Sequence, residues 1–289
     1  MSDPLLDGAR PVGDGAAMAD MAQGRGSDMY GVYHAVELEL RAATLWVRIG
    51  GEHRNEDIAE IFRRAHLDPA VHAIVLTGIE EKHFCVGGGG AAAPDDEQER
   101  NNYWNAGMQS AREMIFAMLM CDKPIVARIN GHAVGRGCSL ALCCDITVMA
   151  DDAKIGDTHV KVGLVAGDGG SLLWPHLVGS VQARRYLLTG DLMTGTEAAR
   201  IGLVTEAVPR EALDLATDKW IGKLSQGSPA AVALTKRALN ASIRQEAVAH
   251  MDLSLGLETQ SFLTADYREG ITALGERRAP AFRGQQHDS

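Results

Sequence analysis

The fold is decided by Lys123-Pro-Ile-Val-Ala-Arg-Ile-Asn-Gly-His-Ala-Val-Gly-Arg-Gly-Cys-Ser-Leu-Ala-Leu-Cys-Cys-Asp-Ile146, which places a glycine-rich turn between two apolar runs. The run at 125–129 predicts a buried strand, and the run at 140–144 predicts the start of a buried helix. A turn of this kind is typical of plain packing between a strand and a helix. It also directs the unpaired N–H groups of a helix N-terminus at a ligand, so it favours a site for an oxyanion or a phosphate.

Strands and helices alternate on both sides of this stretch. Alternating and continuous apolar runs predict strands at 35–40, 44–49 and 73–76, and helical spacing predicts helices at 55–66 and 102–120. Because strands that alternate with helices pair in parallel through right-handed crossovers, the pattern predicts an α/β fold.

The chain divides into three regions by sequence pattern. Residues 1–29 are rich in Gly, Ala, Asp and Met without periodicity, so we expect a flexible leader. Residues 30–228 hold the α/β core, and residues 229–289 hold a helical C-terminal region. The helices of that last region are predicted at 230–241, 245–263 and 267–277.

Composition excludes several classes of function. A formal net charge of -10 argues against a nucleic-acid partner, because such a partner needs a basic surface. No apolar run of about 18 residues predicts a membrane span, and the N-terminus lacks a signal peptide's apolar core. The five cysteines are an odd number without metal-ligand spacing, so we expect reduced core thiols, a cytoplasmic location and no metal site.

The order of several motifs resembles the crotonase superfamily, also called the enoyl-CoA hydratase/isomerase family. These motifs span about residues 34 to 284 and include His83-Phe-Cys-Val-Gly-Gly88, the stretch quoted above, Val162-Gly-Leu-Val-Ala-Gly-Asp-Gly-Gly170 and Glu197-Ala-Ala-Arg-Ile-Gly-Leu-Val204. The resemblance implies a crotonase-like spiral of ββα units followed by helices. It also implies that the C-terminal helices take part in oligomerisation, as a homotrimer or a dimer of trimers.

The resemblance further implies an oxyanion hole formed by two backbone N–H groups, which stabilises the enolate of a thioester. By motif position the donors are Gly88 and Arg136. Arg136 is an unusual bulky cation at a turn where glycine is common in the family. Its side chain is interpreted either as solvated or ion-paired, or as a contact to a substrate carbonyl or carboxylate.

The two glutamates of the family's hydratases are missing. Their positions fall at Ser139 and His159, so hydration through the two-glutamate mechanism is not expected. His159 is instead a candidate general base, and Asp168 is a candidate partner that supports its protonated form. Taken singly, His159 could be structural and Asp168 a helix N-cap. Together, at a catalytic position of the family, they favour a functional dyad.

A second resemblance is to superfamily members that hydrolyse carbon–carbon bonds of cyclic β-diketones without CoA. It rests on Gly167-Asp-Gly, Trp174-Pro-His-Leu-Val-Gly-Ser180 and Asp252-Leu-Ser-Leu-Gly-Leu257. It implies a third acidic catalytic residue, for which Glu258 is the first candidate and Asp252 the second. Glu258 could equally be an exposed helix carboxylate or part of a subunit salt bridge. Ser139 and Gly167 are expected to line the substrate pocket.

Three functions therefore follow for a small-molecule substrate. The first is a lyase or isomerase of acyl-CoA thioesters in fatty acid metabolism, which uses His159 and Asp168. It has no permanently bound cofactor, and coenzyme A is part of its substrate. The second is the CoA-independent diketone hydrolase, and the third is a non-catalytic acyl-CoA binder.

Overall fold

The computed structural model describes residues 30–87, 94 and 96–284. Its regular elements lie in a compact unit that begins at Tyr33. The predicted leader at 1–29 lies outside the described residues, as does Gly88. In chain order the elements are β1 (Val36–Arg41), β2 (Thr44–Ile49), α1 (Asn55–Leu67), β3 (Ala73–Gly78), β4 (His83–Cys85), α2 (Glu97–Met120), β5 (Ile125–Ile129), β6 (His132–Val134), α3 (Arg136–Leu142), β7 (Ile146–Ala150), β8 (Lys154–Gly156), α4 (Gly170–Thr189), β9 (Met193–Thr194), α5 (Gly195–Arg200), β10 (Glu206–Val208), α6 (Leu213–Ser225), α7 (Pro229–Leu239), α8 (Ala241–Phe262) and α9 (Ala265–Gly275).

Six strands form the main sheet in the order β1-β2-β3-β5-β7-β10. Its pairs are parallel except β1–β2, a hairpin with antiparallel register. Every residue of β3 is buried, as expected of a central strand with both faces covered. The α/β fold predicted from the alternation is confirmed.

A second, smaller sheet has the order β4-β6-β8-β9. The chain passes from β3 to β4, from β5 to β6 and from β7 to β8, so each of these strand pairs contributes one strand to the main sheet and one to the smaller sheet. β4, β6 and β8 pair in parallel, and their carboxyl ends therefore lie at one edge. This edge carries the glycine-rich turn and the residues discussed below.

The helices cover this framework. α1 packs against α2, and α8 of the C-terminal region packs against both α2 and α4. α8 thus reaches the loop that precedes α4, where Ser254 Oγ donates to the carbonyl oxygen of Gly167 at 2.8 Å, although it is distant in sequence. Among the described helices, none is long and apolar enough to cross a membrane.

Three helices, α2, α3 and α8, begin four or five residues before their predicted starts. α2 begins at Glu97 because Asp96 caps it, accepting a hydrogen bond from the backbone N of Glu99 at 2.9 Å. α3 begins at Arg136, inside the glycine-rich turn. Gly135 and Gly137 give little helical signal, so the start predicted at 140 lies four residues too late.

The five cysteines are free and buried. They are Cys85, Cys121, Cys138, Cys143 and Cys144. Burial raises the pKa of each of these thiols, so they behave as small apolar groups in the core.

Candidate active site

The glycine-rich turn brings the start of α3 against the end of β4. Gly135 has a φ of 57°, a conformation that glycine adopts without strain. A Cβ on Gly137 would collide with the carbonyl oxygen of Cys85, so only glycine allows this close approach. Gly87 follows β4 and lies 3.8 Å, measured from an ideal Cβ, from the carbonyl oxygen of Val134. The two segments expected to carry the oxyanion donors are therefore neighbours.

Arg136 is the first residue of α3, and Gly135 at the N-cap provides no side-chain cap. Within the described part of the chain, the Arg136 backbone N–H has no hydrogen-bond acceptor. It is thus free to donate to an oxygen placed at the turn. The other predicted donor, Gly88, lies outside the described residues.

His159 follows β8 and opens a short 3₁₀ helix at His159–Val162. Its Nδ1 lies 2.6 Å from Oδ1 of Asp157, and its backbone N donates to the same oxygen at 3.1 Å. Only 1% of the Asp157 side chain is exposed, so this carboxylate fixes the ring from the buried side. It leaves Nε2 directed away from Asp157.

Asp168 lies on the Nε2 side of the ring. Its Oδ2 is 3.8 Å from His159 Nε2, and its Oδ1 accepts a hydrogen bond from Ser139 Oγ at 3.1 Å. The N-cap of α4 is Gly169, so Asp168 is not the cap of this helix. The structure brings together His159, Asp168 and Ser139, as the family positions imply.

Glu258 reaches the same place from α8. It is only 3% exposed, and its Oε2 lies 2.6 Å from an ideal Cβ on Gly167, the residue before Asp168. Among the described residues, this oxygen has no hydrogen-bond partner. Asp252, the second candidate, is instead a surface residue that pairs with Arg112 at 2.6 Å.

The pKa values of His159, Asp168 and Glu258 are all raised above those of the isolated side chains. Burial disfavours the His159 imidazolium, but the Asp168 and Asp157 carboxylates outweigh it and raise its pKa to about 10. Burial, followed by the nearby Asp168 charge, raises the pKa of Glu258 to about 8. Burial also raises the pKa of Asp168, opposed by the His159 charge. Near neutral pH the cluster therefore holds an imidazolium and a neutral Glu258.

One polar atom from each of Asp157, His159 and Asp168 lies within 4.8 Å of the other two. Such a spacing suits a metal ion as well as a shared proton. The bond between Asp157 and Nδ1 already occupies one ring nitrogen, however, and the carboxylates raise the basicity of the ring. The arrangement is therefore well suited to proton transfer.

Asp157 is the residue of this cluster that the sequence did not single out. Its signal is weak, because an acidic residue two positions before a histidine is common in loops. The contact exists because the backbone of 157–159 turns sharply after β8 and folds the Asp157 carboxylate under the ring.

Comparison with known proteins agrees with the fold. A sequence profile described as Enoyl-CoA hydratase/isomerase matches residues 52–285. The (E)-benzylidenesuccinyl-CoA hydratase of Thauera aromatica is 37% identical over 237 residues, which cover 79% of this chain and 88% of that protein. The crotonyl-CoA hydratase of Syntrophomonas wolfei is 35% identical over 215 residues, covering 74% and 82%.

Among solved structures, an enoyl-CoA hydratase/isomerase from Mycobacterium paratuberculosis superimposes with a TM-score of 0.76 at 30% identity, covering 84% of this chain and 99% of the other. The chain belongs to the enoyl-CoA hydratase/isomerase family. The correspondence of Ser139 and His159 to the two glutamate positions of the family's hydratases rests on the motif resemblance and stays a prediction.

Proposed function

We propose that the chain catalyses reversible addition of water to the α,β double bond of a 2-enoyl-CoA thioester, with His159 and Asp168 in place of the glutamate pair. The proposal depends on one observation, the 3.8 Å separation of His159 Nε2 and Asp168 Oδ2. Two polar atoms at this distance can both hydrogen-bond one water at about 2.8 Å from each. The two groups differ in charge, which gives the pair an acid and a base.

In this mechanism the Asp168 carboxylate takes a proton from water as the hydroxyl bonds to the β-carbon of the thioester. Electrons move to the thioester oxygen, and the resulting enolate is held by the Arg136 backbone N–H and by the Gly88 N–H expected beside it. His159 Nε2 then donates its proton to the α-carbon. Transfer of a proton from Asp168 to His159 restores the resting state, and the reverse sequence eliminates water.

Asp157 and Ser139 hold the pair in position. Asp157 fixes Nδ1 of His159, so that Nε2 faces the reacting atoms. Ser139 donates to Oδ1 of Asp168, which leaves Oδ2 for the water. The similarity to relatives named (E)-benzylidenesuccinyl-CoA hydratase and crotonyl-CoA hydratase supports a CoA thioester as substrate and water as co-substrate.

Hydrolysis of a cyclic β-diketone is the second candidate, and Glu258 is the observation that favours it. A third acidic group from the C-terminal helices is what the resemblance to the diketone hydrolases implies, and Glu258 is buried beside Gly167. In that reaction water activated by the neutral form of His159 would attack one carbonyl, and a carbon leaving group would depart as an enolate. The pKa of about 10 keeps this ring protonated near neutral pH, which favours hydration over hydrolysis.

The test is to offer the purified protein 2-enoyl-CoA thioesters and cyclic β-diketones side by side. We expect loss of the conjugated enoyl-thioester absorbance, unaffected by EDTA. His159→Gln and Asp168→Asn should each slow turnover by about two to four orders of magnitude. His176→Gln, a partly exposed histidine on α4 that pairs with Glu246, is the matched control.

Three other outcomes would reject the proposal. Diketone cleavage without thioester turnover would identify the hydrolase. Thioester binding without any turnover would identify a non-catalytic acyl-CoA binder. Hydration that is indifferent to both His159→Gln and Asp168→Asn would place the chemistry elsewhere.

A further inference from the structure

We infer that the Arg136 side chain and Asn55 form a subsite for a carboxylate on the acyl chain, so that the preferred substrate is a dicarboxylic 2-enoyl thioester. This inference rests on the proposed function and specifies its substrate class. It concerns the guanidinium of Arg136, whereas the oxyanion hole uses only the backbone N–H of that residue.

The Arg136 guanidinium is partly buried and lacks an acidic partner among the described residues. Its Nη1 donates to Oδ1 of Asn55 at 3.2 Å, a neutral acceptor. Its Nε is buried and has no hydrogen-bond partner in the described part of the chain. An arginine remains charged at every ordinary pH, and burying an uncompensated charge is costly. An anionic ligand would offset that cost.

The neighbouring histidine, His53, is uncharged. His53 is only 3% exposed, and its Nδ1 donates to the carbonyl oxygen of Gly50 at 2.7 Å. Burial, followed by the charge of Arg136, lowers the pKa of His53 to about 4, so this ring is neutral. Its Nε2 is also buried without a partner among the described residues. Neither His53 nor Asn55 therefore carries a charge that pairs with the guanidinium.

Asn55 is fixed with its oxygen towards Arg136. Its Nδ2 donates to Ser110 Oγ on α2 at 3.2 Å, and Ser110 in turn donates to the carbonyl oxygen of Gly107 at 2.9 Å. This chain of hydrogen bonds determines which end of the amide faces the guanidinium. Asn55 thus binds Nη1 of the guanidinium, and the other N–H groups of the guanidinium stay available to a ligand. A planar fork of donors matches a carboxylate.

The location of Arg136 connects this charge with the reaction centre. Its backbone N–H is the proposed donor to the thioester oxygen, and its charge acts on Asp168, where it opposes the effect of burial on the pKa. Because one residue provides both groups, a carboxylate bound by the guanidinium lies within about the length of one arginine side chain of the thioester oxygen. The diphosphate of CoA carries the same kind of charge, but it is separated from the thioester by the whole pantetheine arm.

The test compares two acyl chains on two carriers. A dicarboxylic 2-enoyl group and its terminal carboxamide are each attached to CoA and to pantetheine, and kcat/KM is measured for all four thioesters. We expect wild-type protein to favour the carboxylate over the carboxamide by about 10- to 100-fold on both carriers. In Arg136→Gln that ratio should fall to within a few-fold of one.

A second variant should abolish the preference for the carboxylate while keeping Arg136. Asn55→Asp supplies an internal carboxylate to the guanidinium and should also abolish the preference, so the test survives if one variant fails to fold. Arg63→Gln is the control, because Arg63 is an exposed arginine of α1 that pairs with Glu113 on α2. It should leave the preference unchanged.

Each outcome either supports or overturns the inference. A preference that is present in wild type and lost in both variants supports it. A change in the CoA-to-pantetheine ratio alone would assign Arg136 to the phosphates of CoA. Turnover of thioesters without a carboxylate preference would overturn the inference and leave the proposed function intact. Failure of every thioester to bind or react would overturn both.

Discussion

At the scale of single residues, His159 is held between two carboxylates with separate tasks. Asp157 bonds to Nδ1 at 2.6 Å, whereas Asp168 faces Nε2 at 3.8 Å and is itself held by Ser139. The closer carboxylate orients the ring, and Asp168 and Asp157 together raise its pKa. The more distant one leaves room for a reacting atom to be bound by both groups. Asp157 is therefore a positioning residue.

Replacing Asp157 tests this division. Asp157→Asn should reduce kcat by about 10²- to 10⁴-fold, because the imidazolium loses its support and the ring its orientation. The alkaline limb of the pH–rate profile should also move to lower pH, since Asp157 raises the pKa of His159. The matched control is Asp152→Asn, an exposed carboxylate that pairs with Arg210. A lower kcat with an unshifted alkaline limb would contradict the proposed role.

The sequence predicted part of this site. Ser139, His159 and Asp168 follow from motif positions, because the order of elements places them at one sheet edge. Asp157 and Asn55 do not, since their roles depend on a tight turn and on the packing of α1 against α2. The position of Gly88 lies outside the described residues, so the first oxyanion donor stays a prediction.

At the scale of elements, α8 provides a buried carboxyl group to a site that is otherwise formed by the smaller sheet and the loops around it. Glu258 has a pKa raised from 4.5 to about 8 by burial and then by Asp168. Between those two pH values the folded state binds a proton that the unfolded chain has lost. Stability due to this group therefore falls as pH rises through that window.

Glu258→Gln should remove this dependence because it keeps the shape of the side chain and cannot ionise. At about pH 9 we expect the variant to exceed wild type in free energy of unfolding by on the order of 2 to 4 kcal/mol, with little difference at about pH 4.5. Urea unfolding at the two pH values measures it. Glu246→Gln, a half-exposed position on the same helix, is the control. A difference that is the same at both pH values would show that Glu258 does not ionise in this way.

At the scale of the whole molecule, the α/β fold and its C-terminal helices were predictable from the alternation of apolar runs. The division into two sheets was not. β4, β6 and β8 have three residues each and β9 has two, so they are too short to give a periodic signal. Their pairing depends on contacts between residues far apart in sequence.

The C-terminal helices expose many large apolar side chains. These are Leu234, Leu239, Val248, Leu253, Leu257, Leu263, Ile271 and Leu274. Apolar surface of this kind is typical of subunit contacts, so we expect the trimer or dimer of trimers that the family resemblance implies. Light scattering after gel filtration should give three or six times the mass of one chain. A single-chain mass at micromolar concentration would contradict this expectation.

The reactivity of the buried cysteines reports on unfolding of the chain. All five thiols are free and buried, and burial raises the pKa of each, so a disulfide reagent meets no reactive thiolate on the folded molecule. The colour that such a reagent develops would measure how often the core opens. Because the thiols of the folded protein do not react with the reagent, the protein adds little colour to assays that follow the free thiol of coenzyme A.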